Sequence, residues 1–498
     1  MFLGTIMTDG SRQSLTKLAM SGAIAGVGGK IANFVIGIGS VAILARLLSP
    51  IEYGQFGLVM ICLSLSQLIP QSISNAMVQQ KQGRPEDISA GVTLVFAVGG
   101  VMACTLILLR HVISSFFGTD IVKPLIFTAL VLPLLSLAAY FDGVLSKQFE
   151  FRKNAFFDFV STVMGQAFIS IGLAYFGFGV WSLLLGATSV GLIKLGLQFS
   201  AGVWRYIKPT RVPYELLSKS GWMVLYSIWN YLGRNADNLI VGKMLGSESL
   251  GLYQRAYNLM MRPVLLIGGV TTGVFYPLMA SLQSDEERLR SAYLRGVLLA
   301  SLFGLPMSLF LFVHATEMIV VLFGPRWVGV IEPFRLLALV LYFRLGYRIS
   351  DATLLAEGAM RAVNLLQFLF AILVITGTII GCRWGVTGVA AGVAFALLGF
   401  FVASAGYTNW RLGVGVYQFT KMQLPGVLIG GLSILPSLLL HKAVMSVAGP
   451  IGVLVIGGIS LFISYGLVLS YGRYLFSEPL ILSTLKDICL RLKIDKFK

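Results

Sequence analysis

The sequence predicts an all-α polytopic membrane protein. It holds fourteen transmembrane helices, arranged as two six-helix lobes in parallel pseudo-two-fold repeat with two extra C-terminal helices. Three observations predict it. Of 498 residues, 56% are hydrophobic and 12% charged, with a mean hydropathy of +0.84; a soluble domain carries about 25% charged residues. Apolar runs long enough to span a bilayer, roughly twenty residues each, recur along the whole chain. Three local patterns in the first half also return, in the same order, in the second. Closed β-barrels are excluded, because the segments are continuous apolar runs rather than short alternating ones.

The first run continues past Lys30 to about Leu48, too long for the apolar core of a signal peptide. The others lie near 54–80, 88–109, 121–146, 154–176, 179–202, 214–242, 250–280, 291–313, 333–356, 362–382, 385–409, 419–440 and 449–472. With the N-terminus cytoplasmic, 23 Lys and Arg residues between the spans fall on the inner side and 8 on the outer. That asymmetry places both termini inside and accounts for most of the formal charge of +17. The high pI of about 9.8 is therefore a topology signal and not a nucleic-acid footprint. Residues 477–498 form a basic amphipathic tail suited to the anionic cytoplasmic leaflet. No connection leaves room for a soluble catalytic domain, so no enzyme activity is expected.

The repeat rests on three matches. Arg46-Leu47-Leu48-Ser49-Pro50-Ile51-Glu52-Tyr53-Gly54-Gln55-Phe56 aligns without a gap on Lys243-Met244-Leu245-Gly246-Ser247-Glu248-Ser249-Leu250-Gly251-Leu252-Tyr253. Asp142-Gly143-Val144-Leu145 with Arg152 matches Asp351-Ala352-Thr353-Leu354 with Arg361, at an offset of 209. Gly179-Val180 and Gly186 match Gly385-Val386 and Gly392, at an offset of 206. The lobes are then 1–205 and 206–412, followed by spans 13 and 14 in 413–476. An even number of spans per repeat makes the copies parallel, as in one class of secondary transporters, whose sites lie near the midplane at the repeat interface. A duplicated structural bundle is the bland alternative.

Seven basic residues fall inside spans: Lys30, Lys194, Arg234, Arg255, Arg262, Arg344 and Arg348. A cation at the bilayer centre costs roughly 2.5–3.5 kcal/mol even on the lenient insertion scale, so most must face water, protein or a bound anion. Arg344, Arg348 and Asp351 form one helical stripe, as do Asn230, Arg234 and Asp237, while Arg255 and Arg262 are seven apart. The first half offers Lys30 with Asn33, then Gln67, Gln71 and Asn75, and Asp142 as the repeat mate of Asp351. Arginine suits a diphosphate, because its planar fork makes bidentate, charge-assisted bonds and keeps its charge. The bland reading pairs Arg234 with Asp237 and Arg348 with Asp351. It places Lys194, Arg255 and Asp158 near an interface, with snorkelling side chains.

Other chemistries are set aside. His111, His314 and His441 lie at span ends without triad or metal-ligand spacing, and Cys62, Cys104, Cys382 and Cys489 have no paired spacing. Gly26-Val27-Gly28-Gly29-Lys30 lacks the Ser or Thr and the strand context of a phosphate loop. Asp285 is placed to cap the span that follows it.

With these features in place, the chain resembles the Wzx-type polysaccharide flippases, of the superfamily that also holds multidrug extruders and lipid II flippases. The resemblance covers nearly all of spans 1–12. It is strongest in Leu44-Ala45-Arg46-Leu47-Leu48-Ser49-Pro50-Ile51-Glu52-Tyr53-Gly54 and Asn235-Ala236-Asp237-Asn238-Leu239-Ile240-Val241-Gly242-Lys243-Met244-Leu245-Gly246. The second string continues into Leu250-Gly251-Leu252-Tyr253-Gln254-Arg255-Ala256-Tyr257, similar to the colanic acid and succinoglycan exporter branch. The resemblance implies an inner-membrane flippase for lipid-pyrophosphate-linked oligosaccharides, and it puts Arg234, Asp237 and Arg255 in the family's patterned region. Arg344 and Arg348 rest on spacing alone.

The expected substrate-binding set is Lys30, Arg234, Arg255, Arg262, Arg344 and Arg348, lining a cationic cavity. No cofactor or metal is expected. Directional transport calls for coupling to H+ or Na+, with Asp142, Asp237 and Asp351 as candidates. Expected partners are the lipid-linked oligosaccharide, the bilayer, and polysaccharide polymerase or export proteins, but no nucleic acid. The alternatives are a multidrug or small-solute antiporter of the same fold, and a polytopic glycosyltransferase or polymerase.

Overall fold

A computed structural model describes residues 36–79, 85–148, 150–208, 210, 231–270, 275–476 and 478–491. Among these residues all regular structure is helical. Eight stretches of the described residues are long and apolar enough to cross a membrane, and two of them, Met360–Arg411 and Val416–Tyr471, are of double length. The double-length stretches are not single rods. Each turns at a glycine in the left-handed region, Gly385 (φ 68°) and Gly449 (φ 62°), a conformation that costs glycine little.

The chain divides into two units, Met1–Tyr231 and Leu232–Lys498. In the first, α1 (Ile36–Leu47) leads into α2 (Pro50–Gln79), α3 (Pro85–Phe117) and α4 (Val122–Lys147). Next comes α5, which runs from Phe151–Thr162 through a π-helical stretch, Val163–Ser170, into Ile171–Tyr175. The sixth helix, α6, spans Val180–Ser200. The start of α2 is written in its sequence. Ser49 and Glu52 form a capping box, the Ser49 backbone N–H donating to Glu52 Oε2 at 2.7 Å and the Glu52 N–H donating weakly to Ser49 Oγ at 3.4 Å. Pro50 then takes the first helical position, where no N–H is needed. The core of this unit gathers Val95, Tyr140, Phe141, Val144 and Leu195.

The second unit opens within α7 (231–244), whose first described residue belongs to the first unit, and continues into α8 (Gly246–Val270). Here the repeat mate of Ser49 is Gly246, which ends α7 with φ 83°, so a glycine turn replaces the capping box. There follow α9 (Glu286–Val313), α10 (Ala315–Phe323), α11 (Ile331–Leu339), α12 (Leu341–Ala356), α13 (Met360–Gly381), α14 (Gly385–Arg411), α15 (Leu424–Leu475) and α16 (Pro479–Arg491). Asp285 caps α9, accepting the Arg288 N–H at 3.0 Å. Tyr293, Leu298, Tyr342, Ile429, Val468 and Leu485 share one core, which docks α15 and α16 on α9 and α12. A polar tie adds to it. His314 Nε2 meets Ser437 Oγ at 2.9 Å, and His441 Nε2 meets Glu317 Oε1 at 2.9 Å.

Glycine permits a close crossing of α13 and α14. A Cβ built on Gly377 of α13 would lie 2.7 Å from the Gly392 carbonyl oxygen of α14, and that oxygen is backbone and cannot move aside. Gly377→Leu is therefore expected to destabilise the second unit by about 1–3 kcal/mol or more, as overpacking does. A thermal unfolding midpoint in detergent equal to that of the unmodified protein would refute this. The same crossing flanks an apolar cavity of about 530 Å³, whose walls include Leu336, Gly377, Trp384, Gly392 and Phe395. None of its lining residues is ionisable, so it is no seat for a charged head group.

Candidate functional site

Two interior charges of the second unit, Asp237 and Arg344, are linked through a pair of tyrosines. The foundation of this link is the interrupted passage from α11 to α12. Val340 departs from helical geometry (φ −94°, ψ 5°), and Ser308 of α9 shares its hydroxyl between the carbonyls of Ala338 and Leu339. The carbonyls freed by the break are thus satisfied, and α12 starts afresh at Leu341. Arg344 lies in the first turns of that helix.

Arg344 is 5% exposed. Its guanidinium carbon sits 5.2 Å from the centre of the Tyr257 ring, within cation–π range. Tyr257 and Tyr253 are one helical turn apart on α8, and their rings lie 5.9 Å apart. The Tyr253 hydroxyl donates to Asp237 Oδ2 at 2.6 Å, and Asp237 Oδ1 accepts the Asn238 backbone N–H at 2.8 Å and its side-chain amide at 3.2 Å. A chain Asp237–Tyr253–Tyr257–Arg344 therefore crosses from α7 through α8 to α12. It ends in a buried cation whose Nε has no hydrogen-bond partner among the described residues. Among the described residues no carboxylate lies within ion-pair distance of Arg344 or Arg348.

The two pairings of the bland reading are not formed. Asp237 is buried, whereas Arg234 is exposed on the same helix. Asp351 is held by neutral donors instead of Arg348: Gln367 Nε2 at 3.0 Å and Ser404 Oγ at 3.2 Å. Of the other expected residues, Arg255 is buried, Arg262 and Arg348 are half-buried, and Lys30 and Asn33 lie outside the described residues.

The first unit has its own polar cluster. Lys194 on α6, buried, donates to Asp142 Oδ2 at 2.6 Å and to Asp158 Oδ1. Gln198 Nε2 donates to Asp142 Oδ1 at 2.7 Å and to the Ala138 carbonyl at 3.1 Å. The reading of Lys194 as a snorkelling side chain is thereby corrected: it is buried and ion-paired with Asp142 and Asp158. Sequence reasoning also missed Tyr253, Tyr257, Asn238, Gln367 and Ser404. The tyrosines carried a signal in their i, i+4 spacing inside a polar span, but the neutral donors to Asp351 carried none.

Comparison with known proteins places this geometry in a family. Residues 43–332 match the family described as polysaccharide biosynthesis protein. A membrane protein of the cps region of Klebsiella pneumoniae is 25% identical over 381 residues, covering 74% of this chain and 76% of that one. The lipopolysaccharide biosynthesis protein WzxC of Escherichia coli K12 is 25% identical over 322 residues, 61% of this chain and 64% of that one. Among solved structures, the lipid II flippase MurJ in an inward closed conformation superposes with a TM-score of 0.67, at 12% identity, over 91% of this chain and all of its own. An inward-facing multidrug transporter of the MATE family gives 0.58, at 17% identity, over 76% and 94%. These likenesses are of fold. Taken with the apolar helices and a family match over more than half its length, they make the chain a multi-pass membrane protein that belongs to the polysaccharide biosynthesis protein family.

Proposed function

We propose that the chain is a flippase of the bacterial inner membrane, with both termini cytoplasmic. It moves undecaprenyl-pyrophosphate-linked oligosaccharide repeat units from the inner to the outer leaflet by alternating access. The single observation that carries this reading is Arg344: a buried guanidinium set over Tyr257, with no ion-pair partner among the described residues. An uncompensated cation inside a bilayer is costly, and a bound diphosphate supplies the missing charge together with acceptors for the planar fork. Arg348 and Arg262 are half-buried. The sugar occupies water, while the isoprenoid stays in lipid. Directionality comes from H+ or Na+ coupling, and a polymerase or export protein takes up the delivered unit. Lipopolysaccharide biosynthesis in the name of the E. coli relative agrees with this substrate class.

A multidrug antiporter has the same fold, but the surplus of arginine over acid in the second unit disfavours cationic drugs. The test is a deletion strain carrying the chain on a plasmid. Without the plasmid, lipid-linked repeat units are expected to accumulate on the inner leaflet, with export restored by complementation. Loss of polysaccharide with no such accumulation would refute the flippase reading and point to a biosynthetic step.

A further inference from the structure

The apolar cavity beside the α13–α14 crossing has the depth of one leaflet. Its walls follow α13 from Leu373 to Gly381 and α14 from Thr387 to Ala396, with Trp384 at the turn between them. From Leu373 to Trp384 the chain climbs about 16 Å at the rise of a helix, and half of a hydrocarbon core is about 15 Å. The Thr376 hydroxyl is turned back on the Ile372 carbonyl at 2.8 Å, so it asks for no partner in the cavity. A space lined in this way does not hold water. Its volume of about 530 Å³ lies within the roughly 300–1,000 Å³ usual for small-molecule pockets.

The cavity opens toward the bilayer. Ile380, Trp384 and Phe395 of its walls are 55%, 68% and 73% exposed, and they belong to Met360–Arg411, a stretch apolar enough to cross a membrane. What lies against such a face is hydrocarbon. The rim adds a charge. Arg383 stands in the 3₁₀ turn Cys382–Trp384, between the wall residues Gly381 and Trp384. It is exposed, and among the described residues no carboxylate lies within ion-pair distance of it. Trp384 beside it carries the amphipathic ring that favours the headgroup level. From the apolar depth and the cationic rim together, we propose that the cavity seats a bilayer phospholipid, one acyl chain within it and the phosphate on Arg383. An undecaprenyl chain is far longer than one leaflet is thick, so the depth favours the phospholipid. On the proposed topology it is a lipid of the outer leaflet. Its chain completes the packing behind Arg344. Leu373 and Ala396, at the deep end, lie about one turn from Phe370 and Phe400, whose rings are 4.7 Å apart, and Phe400 meets Tyr347 of α12 at 4.7 Å. Tyr347 is three residues from Arg344 on the same helix, so an occupied cavity braces the helix that carries the buried cation.

The full-length protein is purified in detergent and stripped of lipid, and its unfolding midpoint is followed as dioleoyl phosphatidylglycerol is added. The unmodified protein is expected to gain about 3 °C, and native mass spectrometry to find one tightly held phospholipid per chain. Ala391→Phe fills the cavity from α14 and is expected to abolish both. Thr376→Phe enters it from α13 and carries the same expectation, so a misfolded Ala391→Phe leaves the test standing. Arg383→Gln is expected to raise the lipid concentration at half effect by roughly threefold or more, an exposed charge-assisted bond to phosphate having been lost. Full gain in either phenylalanine variant, once folded, places the lipid elsewhere and overturns the proposal. So does an Arg383→Gln titration identical to that of the unmodified protein, or equal protection by undecaprenol, an isoprenoid chain without phosphate. An unmodified protein indifferent to phospholipid overturns it as well. No arm uses a lipid-linked sugar or reads export, so the flippase reading holds or fails independently of this site.

Discussion

Arg344→Met is expected to cut export at least tenfold, and up to about a hundredfold, while leaving the protein as stable as before or more so. The two halves of this result come from one cause. A charge-assisted hydrogen bond to a phosphate contributes about 1.5–3 kcal/mol, and losing it from the transported state slows export by those factors. In the absence of substrate the same guanidinium is a buried cation over a tyrosine ring with no carboxylate within ion-pair distance among the described residues. Replacing an incompletely compensated buried charge with an apolar side chain of similar reach is commonly neutral or stabilising. Arg344→Lys keeps the charge but not the planar fork, so it is expected to recover only part of the lost export. Export by cells is measured beside the unfolding midpoint of the purified variant. A methionine variant that exports normally, or one whose export falls only because it unfolds, would remove Arg344 from the proposed binding set.

Much of the scaffold was legible in the sequence, because a bilayer imposes one length scale and penalises charge. Apolar runs therefore announce helices directly, and the capping signal at Asp285 acts through a neighbour three residues away. Side-chain partners were harder to read, since they depend on rotation about a helix axis and on which helix lies opposite. Arg234 and Asp237 share a stripe by spacing, yet one is exposed and the other buried. Three residues of α-helix leave about 60° between side chains, enough to separate a packed face from its flank. Asp237 turns to Tyr253 rather than to a cation. Lys194 escaped for a related reason. It sits near the end of an apolar run, where snorkelling is the ordinary fate of a lysine, and its partners lie 52 and 36 residues earlier. The offset of 209 that linked Asp142 to Asp351 also links Asp158 to Gln367. The extension was available in the sequence, but nothing there marked a glutamine as the partner of an aspartate.

Asp237 offers the second large effect and separates structure from coupling. Its carboxylate accepts from the Tyr253 hydroxyl, the Asn238 backbone N–H and the Asn238 amide, all buried. Asp237→Leu strands these donors, at about 1–3 kcal/mol for each one left unsatisfied. A total loss near 3 kcal/mol or more is expected, lowering the unfolding midpoint by roughly 3 °C or more in a chain of 498 residues. Asp237→Asn keeps one acceptor oxygen and removes the charge, so its stability loss should be less than half as large. If the carboxylate only braces Tyr253, export by the asparagine variant follows its modest stability loss. If the charge matters to Arg344 through the two tyrosines, export by Asp237→Asn collapses at near-normal stability. Combining it with Arg344→Met then adds little further loss, because both changes break the same chain. Additive losses in that double-mutant cycle would show that the two ends act separately, since independent sites have no reason to fall short of the sum of their effects.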